Sequence, residues 1–276
     1  MGHGKLRKFA ENETFRCLLQ PDASSVLAKP EGSRELILRD HAIKGNWNRE
    51  MFEKPQPIVL ELGCGKGDYT IALARRHPEM NFIGVDIKGA RLWKGAKEAT
   101  EGKMGNVAFL RTRIEFIDAF FGPGEVSEIW LTFSDPQLRG SENARLTSPL
   151  FLQRYHRFLK PDGIVHLKTD SRFLYEYTQS VIRANNLEVL ASGTDIYHVP
   201  VIPSVAKESL PDLPAVYEVQ TFYETMFLKM GLPITYLAFR LSREGERFAY
   251  PTDFDAAYWR EAEGPRRSFS HQPTKG

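Results

Sequence analysis

From Ile58 onward the chain alternates short apolar runs with stretches of helical period. IVLEL (58–62), NFIGVDI (81–87), NVAFLR (106–111), EIWLTF (128–133), GIVHLKT (163–169) and LEVLAS (187–192) predict strands, while DYTIALARRH (68–77) and ARLWKGAKEAT (90–100) carry a helical stripe. Strands apolar along their whole length and separated by helices belong to a parallel sheet covered on both faces, hence an α/β fold. A last strand, ITYLAFRL (234–241), follows a segment from Ser192 to Pro233 that holds five prolines. Connections this long usually carry function or are disordered, and the aromatic and polar cluster VYEVQTFYE (216–224) favours function. The pattern divides the chain into an N-terminal extension (1–55), a main domain (56–242) and a C-terminal tail (243–276) expected to be peripheral and frayed at its end.

Composition changes this picture little. With 276 residues, 42% hydrophobic and 26% charged, one full core is expected. No apolar run is long enough for a membrane span and MGHGKLRKFAENETF has no apolar signal region, so a cytoplasmic protein is expected. Two cysteines, Cys17 and Cys64, are too few for a disulfide framework or a zinc site, and no metal is expected. The net charge is +2, but Gln137–Arg172 carries seven Lys/Arg (139, 145, 154, 157, 160, 168, 172) against three acids. Such a run is either a solvated face or a contact to a polyanion.

The chemistry concentrates in the loop after the first strand, Gly63-Cys64-Gly65-Lys66-Gly67-Asp68. A dinucleotide fingerprint needs its third glycine where Asp68 stands, and the Gly-Lys-Ser/Thr of a P-loop is absent. A pyrophosphate here would also face Glu61 and Asp68 at a helix start that should favour anions. A cofactor without phosphates and with its own positive charge, S-adenosylmethionine, suits the loop better. Asp86, at the end of the second strand, is placed to accept ribose hydroxyls. Asp68 also reads as a helix N-cap, and Glu61, an acid on an apolar strand, needs a partner. Asp135 follows the fourth strand, where ligands of open parallel sheets bind, although a turn cap before Pro136 is the simpler role.

LELGCGKG, FIGVDIKGAR, LTFSDPQ, HLKTD and TFYE, in that order, resemble the bacterial tRNA (guanine-N7)-methyltransferase family of the TrmB type. The resemblance implies a class I (Rossmann-like) S-adenosylmethionine-dependent methyltransferase fold, a seven-stranded, mostly parallel sheet with the last strand antiparallel. It implies that Asp135 is catalytic and that tRNA is the partner. Cofactor contacts would come from Glu61, Gly63, Gly65, Asp86, Arg113 and Ile114, and substrate contacts from Arg139, Asp170, Thr221 and Glu224. Two stretches depart from the family. LRGSENAR keeps only Arg139 and Arg145 of a dense basic run, and RTRIE has Arg113 where an acid often holds the adenine amine, leaving the backbone at Arg113 and Ile114 or the Glu115 carboxylate. Asp170 also reads as an N-cap before SRFLYEY. Two rivals remain: a methyltransferase of another substrate, and a noncatalytic RNA-binding protein.

Overall fold

The computed structural model describes residues 3–32, 35–205, 213–242 and 247–264. The first part of the chain forms α1 (His3–Asn12), β1 (Leu18–Leu19), β2 (Leu27–Ala28), β3 (Ile37–Leu38) and α2 (Trp47–Glu50). The alternation then runs β4 (Ile58–Leu62), α3 (Asp68–Arg76), β5 (Asn81–Asp86), α4 (Gly89–Glu101), β6 (Val107–Arg111), β7 (Val126–Thr132), α5 (Pro149–His156), β8 (Leu159–Thr169), α6 (Arg172–Ala184) and β9 (Val189–Gly193). β10 (Ile202–Pro203), α7 (Leu213–Glu218), α8 (Phe222–Lys229), β11 (Thr235–Arg240) and α9 (Ala256–Glu263) complete the described elements.

The main sheet has the order β1-β6-β5-β4-β7-β8-β11-β9-β10. β4 to β8 are parallel, and β11 runs antiparallel between β8 and β9. The seven central strands are the predicted ones, with the last antiparallel. The two-residue β1 and β10 extend the edges, β1 pairing with β6 and β10 with β9. Strand order reverses between β4 and β7, and that crevice is where such sheets bind ligands.

Alternate residues of each strand serve opposite faces, which explains the unbroken apolar runs. Ile58, Leu60 and Leu62 pack with Leu152 of α5 and Leu174 of α6, whereas Val59 packs with Ile71 of α3 and Leu92 of α4. Both segments outside 56–242 reach this core. Trp47 is fully buried, donates to Phe120 O at 2.8 Å and stacks on Phe121, and Phe248 joins the same cluster. Phe254 meets Phe173 and Tyr177 edge-on, while the end of the tail, 265–276, lies outside the described residues. Among the described residues no helix is long and apolar enough to cross a membrane.

Candidate active site

β4 delivers the chain into three left-handed glycines, Gly63, Gly65 and Gly67, with φ of 82°, 59° and 76°. A Cβ on Gly63 or Gly65 would meet open space, but one on Gly67 would come within 2.6 Å of the Phe109 ring. The first two glycines therefore keep the cavity wall bare, and the third lets the start of α3 press against β6. Gly67 is also the N-cap residue of α3. Asp68 is the first residue inside the helix, and its carboxylate takes Lys94 Nζ at 2.6 Å, so the capping role expected for Asp68 is not observed.

Glu61 lies buried beneath this loop. Its Oε2 accepts the amide of Thr70 at 2.8 Å and the Thr70 hydroxyl, and its Oε1 accepts Thr132 Oγ1 at 2.6 Å. Burial pushes its carboxyl up to about 7, with the threonine hydrogen bonds opposing and the Asp68 charge adding to the rise. Asp86, at the end of β5, braces the loop from the other side. Its two oxygens accept the amides of Gly65 at 3.1 Å and Lys88 at 2.7 Å.

A cavity of about 250 Å³ opens at the ends of β4 and β7. Glu61 and the glycine loop line one side, Thr132 and Phe133 the exit of β7, and Thr221, Phe222 and Tyr223 the opposite edge. Of the predicted residues, Glu61, Gly63, Gly65 and Thr221 line it, and Asp86 is one hydrogen bond away through Gly65. Arg113, Ile114, Asp135, Arg139, Asp170 and Glu224 are not in its lining. Arg113 is exposed and pairs with Glu115 at 3.3 Å, while Ile114 packs against the core. Asp135 is exposed three residues beyond Thr132, and its Oδ1 accepts the Gln137 amide at 2.9 Å, the turn-cap geometry. Arg139 is exposed on the same loop. Asp170 follows β8 half-buried, and the N-cap of α6 is its neighbour Ser171. Thr221 caps α8, and Glu224 closes a reciprocal capping box with it from a fully buried position.

The family model Methyltransf_4, "Putative methyltransferase", matches residues 55–231. The tRNA (guanine-N(7)-)-methyltransferase of Christiangramia forsetii is 48% identical over 238 residues, 86% of this chain and 97% of that protein. The one of Bacteroides thetaiotaomicron is 46% identical over 245 residues, 89% of this chain and 88% of that protein. The chain belongs to the tRNA (guanine-N7)-methyltransferase family. A solved 16S rRNA methyltransferase, KamB, shares the fold at a TM-score of 0.52 and 13% identity, covering 76% of this chain and 97% of that one.

Against the family motifs, the departing loop LRGSENAR has an internal use for one of its two arginines. Arg145 is buried between the Phe173 and Tyr177 rings, 4.8 and 4.4 Å away, and donates to Pro136 O at 3.3 Å. From outside, Arg260 of α9 donates to Leu138 O at 2.7 Å. The basic run of 137–172 is thus divided: Arg145 and Lys168 are internal, and Arg139, Arg157 and Lys160 face solvent. Sequence reasoning missed Thr70 and Thr132, the partners that Glu61 demanded. It also missed Lys168, whose signal was a lysine in a strand read as covered on both faces.

Proposed function

We propose that this protein transfers the methyl group of S-adenosylmethionine to N7 of a guanine in the variable region of tRNA, in the cytoplasm. The observation that supports the donor side best is Glu61, a buried carboxylate on the cavity wall held by the uncharged donors of Thr70 and Thr132. An acidic wall of this kind suits a ligand with its own cationic groups and repels a pyrophosphate. When bound, S-adenosylmethionine supplies an electrophilic methyl group.

Gly63 and Gly65 give the donor room for close approach, and Asp86 retains lone pairs for ribose hydroxyls while bracing the loop. The backbone at Arg113 and Ile114 is the proposed adenine contact. The guanine N7 lone pair lies in the ring plane and needs no proton removed before it bonds to carbon, so the protein's task is positioning and charge stabilisation. Thr221, Phe222 and Tyr223 offer the purine a hydroxyl and two rings. Asp135 offsets the positive charge that develops on the base, with Arg139 and Asp170 as further substrate contacts. Incubation of unmodified tRNA with protein and donor, followed by nucleoside mass spectrometry, tests the proposal. The expected product is N7-methylguanosine, and a different methylated nucleoside, or none, would overturn it.

A further inference from the structure

Lys168 stands at the penultimate position of β8 with its side chain fully buried. Its ammonium lies 2.7 Å from Glu224 Oε1, donates to Val219 O at 3.0 Å and sits 5.4 Å from the centre of the Tyr69 ring. Glu224 is equally buried and accepts a second hydrogen bond from Tyr197 OH at 2.7 Å. Removing both ions from water is costly, and a well-packed apolar pair is often as stable or more so. A fully enclosed pair beside the cavity therefore points to a role in geometry, beyond stability.

What the pair holds is the cavity wall. Glu224 Oε2 accepts the Thr221 amide at 3.3 Å while Thr221 Oγ1 accepts the Glu224 amide at 3.1 Å, so the carboxylate locks the turn that presents Thr221, Phe222 and Tyr223. Through its own carbonyl, Lys168 accepts the Phe133 amide at 2.8 Å, and Phe133, at φ 51°, turns the chain from β7 toward Asp135. Tyr69, under the ammonium, precedes Thr70, whose amide and hydroxyl hold Glu61. One residue thus touches the start of α3, the exit of β7 and the start of α8.

We infer that Lys168 is a positioning residue of the methyl transfer: its ammonium fixes the Glu224 carboxylate and so sets the Thr221–Tyr223 edge against the loop that carries Asp135. This rests on the tRNA methylation proposed above. The test uses full-length Lys168→Met and Glu224→Gln, singly and together, after wild-type formation of N7-methylguanosine has been measured. A wild type that forms none overturns the proposed function, and this inference with it; a wild type that does leaves the variants to judge Lys168 alone.

Lys168→Met is expected to lower the single-turnover rate at saturating tRNA and donor by about 10-fold or more while donor affinity stays within about three-fold. Because the effect runs through Glu224, it should add little in the Glu224→Gln background. If Lys168→Met does not fold, Tyr197→Phe, which removes one hydroxyl from the same carboxylate, takes its place, with a smaller rate loss and the same non-additivity. A folded Lys168→Met protein that reacts at the parental rate overturns the inference. So does a loss that multiplies in full onto that of Glu224→Gln, or, for whichever variant carries the test, an equal fall in donor affinity and rate.

Discussion

Thr132 Oγ1 donates to Glu61 Oε1 at 2.6 Å, so the strand that leads to Asp135 also fixes the carboxylate beneath the glycine loop. The proposed methyl-donor and target sides are thereby linked by a side-chain hydrogen bond between two paired parallel strands, β4 and β7. That coupling frames the expected pH behaviour.

Glu61 has its carboxyl raised to about 7, chiefly by burial. A folded-state value above the unfolded one means that the fold favours the proton, so this group's contribution to the stability of the free protein falls as pH rises from about 4.5 to about 7. A cationic donor prefers the ionised form, and its affinity should therefore rise over pH 6 to 8. Calorimetry with S-adenosylhomocysteine, which keeps the ammonium, checks this at both ends of the range. A flat profile for the wild type, or one that Glu61→Gln reproduces, would show that Glu61 does not sense the ligand.

Two glycines of the loop, Gly65 and Gly67, should separate cleanly. Gly67→Ala drives a methyl into the Phe109 ring at a left-handed position, and should cost about 2–4 kcal/mol of stability. Gly65→Ala meets no protein atom, so its stability cost should be only the backbone strain, about 1–2 kcal/mol, with a larger effect on donor binding. Denaturant midpoints alongside donor titrations measure both. Equal stability losses would mean that Gly65 is also a packing glycine.

The features legible in the sequence were those with a local cause. Both-face burial wrote itself into IVLEL and its successors as unbroken apolar runs, and the glycine-rich loop marked the turn from the first of them into a helix. What escaped was set by residues distant in the chain. β1 and β10 exist because β6 and β9 offer free edges, and two residues carry no periodicity. Asp68 looked like a cap because its partner, Lys94, lies on another helix. Glu224 stood in a recognisable motif, yet nothing in TFYE tells that its carboxylate points inward to Lys168. Likewise Arg145 counted as surface charge until Phe173 and Tyr177 enclosed it.

Arg139 and Arg145, so close in sequence, should respond in opposite ways. Arg139 is exposed, and Arg139→Ala should leave stability unchanged while flattening the salt dependence of tRNA binding by about one unit of slope. Arg145→Ala removes a desolvated cation from between two rings and should cost about 2 kcal/mol or more. Binding measured across a salt series, beside thermal melts, distinguishes them. An unchanged slope for Arg139→Ala would place that side chain outside the RNA contact.

Asp135 is the sharpest case, because the hydrogen bond it accepts from the Gln137 amide is what a plain turn cap would also make. Its second oxygen is in an exposed residue at the mouth of the β7 loop, three positions past the Thr132 that holds Glu61. If the carboxylate stabilises the purine as it becomes cationic, Asp135→Asn keeps the turn, since the amide oxygen still accepts from Gln137, but loses the charge. The fold and donor affinity should survive while the methylation rate falls roughly 10²-fold or more, the scale seen when one transition-state electrostatic partner is removed. Asp86→Ala supplies the contrast: it removes the brace on Gly65 and a proposed ribose acceptor, so its defect should lie in donor affinity, by on the order of 1–3 kcal/mol, and recover in part with excess donor. Single-turnover rates at saturating donor separate the two. An Asp135→Asn protein that methylates tRNA at the parental rate would leave Asp135 a turn residue, and the charge stabilisation would have to come from another group at the cavity.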